Sequence, residues 1–170
     1  MTLLLKYLAL CWFKNNPADL VPSKSFMFKV VIFYLVSGII VESLIADFAD
    51  GTLEVLLRTF MAYTSISLFL VSIKKLARFS QLYTAIFVCE NFIMTLAIAA
   101  EILDVVMVRQ QWTNREEISI GIATVLVVWY IGIVSYIIRQ LFAYQTVNSL
   151  IYAFSYFILT YGFPMLLMDI

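Results

Sequence analysis

The uncharged apolar runs of the chain constrain its fold more than any other feature. Residues 118–138 are 21 consecutive residues without a charged side chain, and residues 140–168 are 29 more. A helix needs about 20 mostly apolar residues to cross a bilayer core. Hydrophobic residues make up 64% of the 170-residue chain and charged residues 13%, whereas soluble domains carry about 25% charged residues. The sequence therefore predicts an all-α integral membrane protein and excludes a soluble domain.

Five transmembrane helices can be placed along the sequence. The two uncharged runs give the last two, and three further apolar segments contain a few charges. The predicted spans are 28–46, 52–73, 79–108, 118–138 and 143–168. Because the connections are short, neighbouring helices should be antiparallel and form a compact up-down bundle. Gly51 is predicted as a turn residue, Thr52 as a helix N-cap, and Pro164 as a kink or helix end.

Residues 1–27 form an N-terminal segment ahead of the transmembrane domain, which we place at 28–170. The stretch 1–13 is apolar but too short to span a membrane. One interpretation is an amphipathic helix lying in the membrane interface, with Lys6 and Lys14 reaching the headgroups. The alternative is a hydrophobic tail docked on the bundle.

Basic residues divide unequally between the two sides of the predicted bundle. With a cytoplasmic N-terminus, eight of them, including every lysine, fall on the cytoplasmic side and three on the other. The eight are Lys6, Lys14, Lys24, Lys29, Lys74, Lys75, Arg78 and Arg139, and the three are Arg58, Arg109 and Arg115. This bias predicts a cytoplasmic N-terminus and an outer C-terminus, with the bacterial inner membrane as the expected location. Most acidic residues, Asp169 among them, fall on or near the outer side.

Four charged residues lie within the spans at a similar depth below the outer surface: Glu42, Arg58, Glu101 and Asp104. An unpaired charge there costs about 2.5–3.5 kcal/mol on insertion scales. We therefore expect Arg58 to pair with Glu101 or Glu42 in a clamp between helices. Two alternatives stay open, namely a water-filled vestibule that recognises a cationic group and simple snorkelling to the headgroups.

Glu90 is predicted near the midplane, about ten residues into the third span. Counting residues from the helix ends places Tyr63 and Tyr152 in the same layer, with no Lys or Arg available there. A carboxyl group in a dry site favours its neutral form, so Glu90 should be neutral and bonded to one of these tyrosines. It would then join helices, or alternatively serve a proton or ion relay.

Small and polar residues recur at helical spacing on the last two spans. Gly121, Gly132 and Ser135 lie on one face of the fourth span, and Asn148 begins a similar face on the fifth. Small residues allow close helix approach within lipid. The sequence therefore predicts that these two faces meet.

Missing residue types narrow the chemistry. The chain has no histidine and two cysteines, Cys11 and Cys89, which lie far apart in different kinds of segment. We therefore expect no His-based catalysis, no metal centre, no disulfide and no cofactor. Without a basic excess, a nucleic-acid partner is also not expected.

Two short motifs accompany the five-span layout: Asn16-Pro-Ala-Asp-Leu20 before the first span and Ala77-Arg-Phe-Ser-Gln81 at the start of the third. In layout and in these motifs the chain resembles the Yip1-type membrane proteins, including their small bacterial members. The resemblance implies a five-span membrane protein and supplies no catalytic or binding residues. The long N-terminal region of the eukaryotic members is missing, so their trafficking role is not carried over.

The functional expectation is a non-enzymatic membrane protein that acts through protein or lipid contacts, with protein partners or as a homo-oligomer. The alternative is a small transporter or channel subunit that uses Glu90 and the outer charged cluster. An intramembrane enzyme using Glu101 and Asp104 is disfavoured, because these acids are three residues apart on one helix beside an arginine.

Overall fold

The computed structural model describes residues 3–45 and 47–168. Its α-helices are α1 (Leu3–Leu8), α2 (Lys24–Ile45), α3 (Phe48–Ser72), α4 (Phe79–Arg109), α5 (Arg115–Phe142), α6 (Thr146–Phe157) and α7 (Phe163–Met168). In this part of the chain, five helices are long and apolar enough to cross a membrane, with α6 and α7 forming one of them. The predicted all-α fold with five long apolar helices is confirmed. Met1, Thr2, Ala46, Asp169 and Ile170, which the predicted segments include, lie outside the described residues.

The long helices run antiparallel along the chain and give the bundle two distinct ends. α2 packs against α3 and α4, and α4 packs against α5. The basic end holds the starts of α2 and α4 and the ends of α3 and α5. The acidic end holds the α2–α3 and α4–α5 connections. We refer below to the helix pair α2 and α3 as the α2–α3 hairpin, and to the pair α4 and α5 as the α4–α5 hairpin.

The first connection is shorter than predicted, because α3 begins at Phe48. Gly51 is a buried helical residue instead of a turn residue, and a Cβ there would lie 2.8 Å from the backbone carbonyl carbon of Glu42. Thr52 is not the N-cap, since its hydroxyl donates to the Phe48 carbonyl at 2.7 Å. Glycine at position 51 thus allows the first turn of α3 to touch the backbone of α2.

Pro164 does not end the last helix. The helix continues through a π-helical turn at Ile158–Gly162 into α7, and Pro164 is buried within it. Proline lacks an N–H and its ring clashes with the carbonyl four residues earlier, so a wider turn ahead of it relieves the clash. We call residues 146–168 the C-terminal helix. Its first part packs against α5, whereas its π turn and α7 pack against α3.

The N-terminal segment is docked on α4 and α5. Three of its side chains are wholly buried, namely Tyr7, Leu10 and Cys11. The Trp129 indole N–H donates to the Cys11 carbonyl at 3.0 Å, and the Tyr136 hydroxyl donates to the Asn15 carbonyl at 2.9 Å. The segment therefore contains a short apolar helix docked on the bundle, as in the docked-tail alternative, and its position in a membrane interface stays a prediction.

The docked segment turns back on itself between Phe13 and Asn15, which have φ of 56° and 66°. A bulky residue such as Phe13 rarely adopts this left-handed conformation, and here its ring packs against Tyr136 with centroids 5.6 Å apart. On the return, the Gln81 amide donates to the Ala18 carbonyl at 3.2 Å. The segment thus packs along α4 and α5 and returns to the start of α4 at the basic end of the bundle.

Docking places Cys11 beside Cys89 of α4. Both are free and wholly buried, and their thiol groups lie next to each other. This contact could not be predicted from the sequence, because the two residues are 78 positions apart. Their expected separation is wrong, although both are buried small side chains as expected.

We expect iodine, a small apolar oxidant, to convert the two thiols of the folded protein into one Cys11–Cys89 disulfide, with reduction of iodine to iodide. Mass spectrometry should show the loss of two hydrogens, and the denatured product should no longer react with N-ethylmaleimide. A Cys11→Ser variant is the control and should keep a reactive Cys89 after denaturation. A wild-type chain that stays fully reactive would contradict the docked arrangement.

Candidate functional site

A cavity of about 610 Å³ lies at the acidic end between the two hairpins and the C-terminal helix. Its size falls within the range of small-molecule pockets, about 300–1,000 Å³. α4 and α5 supply most of its apolar wall, which includes Ile93, Met94, Ala97, Ala100, Leu126 and Val127. The cavity is therefore an apolar space inside a ring of helices.

Beside the cavity, α5 and the end of the C-terminal helix diverge and leave a gap between them. The two helices are tied at the basic end, where the Ser135 and Ser149 hydroxyls lie 3.0 Å apart, but the π turn then directs α7 to α3. Near the acidic end, Ile120 and Val125 of α5 are 67% and 63% exposed. The gap thus faces the surroundings of the bundle, which are hydrocarbon if the helices span a membrane.

The predicted packing face of the last two helices is only partly correct. Ser135 contacts Ser149, and a Cβ at Gly132 would lie 3.5 Å from the Phe13 ring of the N-terminal segment. A Cβ at Gly121 would meet no atom of another residue within 4 Å, and Asn148 is exposed. The buried face of the C-terminal helix is shifted by one residue and consists of Ser149, Ala153, Tyr156 and Thr160. Gly121 and Asn148 are therefore not packing residues in this bundle.

Arg58 is the centre of the charged groups on one cavity wall. Its guanidinium group bonds the Glu42 carboxylate at 2.5 Å and also the Glu54 carboxylate of its own helix. The Arg58 and Glu42 side chains are only 20% and 17% exposed. These contacts join α2 to α3, so the predicted clamp forms with Glu42 as the partner.

Asp104 belongs to a second ion pair on the opposite wall. It accepts a hydrogen bond from the Ser119 hydroxyl at 2.5 Å and lies 3.3 Å from the Arg115 Nε atom, which joins α4 to α5. Glu101 is exposed, and within residues 3–45 and 47–168 it makes no ion pair. The predicted single cluster is therefore two separate clamps, one in each hairpin. Counting residues along a helix gives depth, but it does not give the direction in which each side chain points.

Glu90 is 2% exposed and does not itself line the cavity, but its carboxyl group lies next to Tyr161, which does. The Tyr161 hydroxyl donates to its Oε1 atom at 2.6 Å. The hydroxyl groups of Tyr34 and Tyr130 lie beside the same carboxyl group. Within the described residues, the Glu90 Oε2 atom and the Tyr130 hydroxyl have no hydrogen-bond partner. The site thus combines a buried carboxyl group, three tyrosines and unused hydrogen-bonding capacity.

The two tyrosines predicted beside Glu90 lie elsewhere. Tyr63 is 52% exposed and packs on Phe79 with ring centroids 5.3 Å apart, and Tyr152 packs on Phe69 at 4.7 Å. A depth count locates Cα atoms, but long side chains on a helix lean back toward its N-terminus. Tyr161 is therefore expected to reach back along its helix, a direction that the depth count ignores.

Tyr161 connects the two sites that the sequence treats as separate. Its ring lies 5.1 Å from the Arg58 guanidinium carbon, and its hydroxyl bonds Glu90. The expectation that no basic residue is available near Glu90 is therefore wrong. One network runs from Glu42 through Arg58 and Tyr161 to Glu90, and it fixes the C-terminal helix against α3 and α4.

The cavity lining carries an excess of negative charge. Its carboxylates are Glu42, Glu101, Asp104 and Glu116, and its cations are Arg58 and Arg115. Both arginines are already paired with carboxylates. In residues 3–45 and 47–168, no group of three or more metal-ligating side chains is placed to hold an ion. The site is suited to non-covalent recognition of a molecule that is apolar and not anionic.

No protein-family model matches the chain, and no curated protein and no solved structure matches it. The resemblance to Yip1-type proteins accordingly stays a prediction. The candidate site is therefore defined by the geometry of the helices and the cavity alone.

Replacing Tyr161 by Phe should lower the free energy of unfolding by about 1–2 kcal/mol, because it leaves a buried carboxyl oxygen without its donor. The matched control is Tyr63→Phe at the half-exposed tyrosine, where we expect a change below about 0.5 kcal/mol. Reversible unfolding in mixed micelles measures both. Equal losses in the two variants would show that Tyr161 does not support Glu90.

Proposed function

We propose that the chain is a non-enzymatic, multi-pass membrane protein that binds a small amphipathic molecule taken from the surrounding bilayer. The observation that carries this proposal is the apolar cavity with a gap beside it between α5 and the C-terminal helix, and we infer that the cavity opens sideways through this gap. An apolar wall with few polar groups is typical of a small-molecule site, and an opening toward lipid suits a ligand that partitions into the membrane. The action is thus by lipid or ligand contact, consistent with the expectation from the sequence.

We propose further that the basic end lies in the cytoplasm, with the N-terminus on that side and the C-terminus outside. The support is the bias of lysine and arginine toward that end of the bundle, which is the main determinant of orientation. In a bacterial inner membrane, the cavity would then open into the outer leaflet. Protein partners or a second copy of the chain would pack against the exposed apolar faces of the helices.

A transport role is the second candidate, and the buried carboxyl group of Glu90, next to the cavity-lining Tyr161, favours it. Beyond Glu90, toward the basic end, the core is filled by Leu82, Ile86 and Ile137, which are 1%, 1% and 0% exposed. A molecule in the cavity therefore meets a packed apolar layer in this conformation. Binding needs no rearrangement of that layer, whereas passage does.

The orientation predicts which connections a membrane-impermeant reagent reaches. In a background without Cys11 and Cys89, a cysteine at Lys75 should react with a maleimide only from the cytoplasmic side. A cysteine at Gln111, in the α4–α5 connection, should react only from the outside. Labelling of intact cells and of inverted vesicles measures this, and the reverse pattern would overturn the proposed orientation.

Filling the cavity should remove the bound molecule. We expect Ala97→Trp to place an indole ring in the cavity and to abolish retention of a small amphipathic molecule after gentle extraction in detergent. Native mass spectrometry of the purified chain measures the retained mass.

The matched control for Ala97→Trp is Ile102→Trp on the same helix, where the wild-type side chain is 61% exposed and does not line the cavity. This variant should retain the molecule as the wild-type chain does. Retention by Ala97→Trp at the wild-type level, or its absence from the wild-type chain, would contradict the proposed function.

A further inference from the structure

We propose that a groove between α3 and α6, near the basic end, binds one phospholipid with a negatively charged headgroup. An acyl chain of the lipid lies in the groove, and its phosphate lies at Lys74 and Lys75. The inference concerns a second site and a different ligand, so it goes beyond the proposed function. It requires that the long helices span a bilayer, and it does not depend on what occupies the cavity at the acidic end.

The groove results from the path of the C-terminal helix. The first part of this helix packs against α5, whereas its π turn packs closely on α3. α3 and α6 therefore stay apart ahead of the π turn, and a groove of about 240 Å³ lies between them. A helix that crosses from one neighbour to another leaves a space on each side, and the gap between α5 and α7 is the other one.

The groove is apolar and faces the surroundings of the bundle. Its floor includes Leu82, Ile86 and Ile138, which are all buried. Its walls include Leu68 of α3 and Leu159 of the C-terminal helix, which are 70% and 45% exposed. An acyl chain has no polar group that such walls would leave unsatisfied, so the groove is suited to one.

Two lysines follow the groove at the basic end. Ser72 is the last groove residue of α3, and Lys74 and Lys75 come within three positions of it. The Lys75 ammonium nitrogen lies 5.6 Å from the centroid of the Phe142 ring. That ring packs on Phe69 of the groove wall with centroids 5.5 Å apart. The Lys75 ammonium group is thus held beside the end of the groove, where the headgroup of a lipid in the groove would lie.

These lysines carry charge that the protein itself does not compensate. Both are exposed, and within residues 3–45 and 47–168 the ion pairs lie at the acidic end and include neither of them. Basic sites between spanning helices bind anionic lipid headgroups, and lysine binds phosphate as a point charge. The phosphate of phosphatidylcholine is already balanced by its own choline, so the site favours a lipid with a net negative charge.

The test measures which phospholipid the folded chain retains. The full chain is placed in nanodiscs of equal parts dioleoylphosphatidylglycerol and dioleoylphosphatidylcholine, extracted gently in detergent and measured by native mass spectrometry. Because the acyl chains are the same, any preference comes from the headgroup. We expect one retained phospholipid, with phosphatidylglycerol favoured at least about fivefold.

Two matched double variants locate the headgroup. Lys74→Gln with Lys75→Gln removes both charges beside the groove and should lower the preference below about twofold. Lys24→Gln with Lys29→Gln removes two charges of α2 at the same end, outside the groove, and should keep the preference. All four side chains are exposed, and a melting curve like that of the wild type shows that each variant is folded.

Three tryptophan variants locate the acyl chain. Ser155→Trp places an indole ring in the groove and should abolish retention of the phospholipid. Ile151→Trp, one turn earlier on the same helix, replaces an exposed side chain that does not line the groove and should keep retention. Ala97→Trp fills the cavity at the acidic end and should also keep the phospholipid, which separates the two sites.

Several results would overturn the inference. If the wild-type chain retains no phospholipid, or retains both equally, the site does not select an anionic lipid. If the two double variants keep or lose the preference alike, the headgroup does not lie at Lys74 and Lys75. Wild-type retention by Ser155→Trp, or a loss in Ile151→Trp or Ala97→Trp, would remove the acyl chain from the groove. The proposed function is decided by the small molecule that Ala97→Trp displaces, so either proposal can fail while the other stands.

Discussion

The pairing of Arg58 is the interaction on which the rest of the structure depends. A guanidinium group among apolar helices is costly unless it is paired, and Arg58 finds both of its carboxylates within the α2–α3 hairpin. Asp104 is consequently free to pair with Arg115 in the α4–α5 hairpin. Each hairpin satisfies its own charges, so no ion pair of Arg58 draws the two together at the acidic end. The cavity is the space that this division leaves.

Arg58 also positions the closed end of that cavity. Its guanidinium group lies over the Tyr161 ring, and the Tyr161 hydroxyl holds Glu90. The π turn ahead of Pro164 brings the C-terminal helix to α3, where this contact forms, and moves it away from the acidic half of α5. The same helix path therefore leaves the gap beside α5 and places Tyr161 against the buried carboxyl group of Glu90. The shape of the cavity and the packing of the C-terminal helix therefore have one cause.

The sequence predicts what depends on distance along the chain and misses what depends on direction around a helix. The span of α4 is predicted to within one residue, since hydropathy and charge mark its ends. The choice of Glu42 over Glu101, and of Tyr161 over Tyr63, depends on which way side chains point and on how the helices surround the cavity. Docking of the N-terminal segment, with Cys11 beside Cys89, depends on contacts between residues remote in sequence. Counting residues along the chain gives neither the direction of a side chain nor the contacts between remote residues.

A double-mutant cycle on the free energy of unfolding tests the division of charges most directly. The cycle combines Arg58→Leu with Glu42→Leu, and a parallel cycle combines Arg58→Leu with Glu101→Leu. The account predicts a coupling energy of at least about 1 kcal/mol between Arg58 and Glu42, and below about 0.5 kcal/mol between Arg58 and Glu101. A coupling to Glu101 as large as the coupling to Glu42 would contradict it, because Arg58 would then bridge the two hairpins across the cavity.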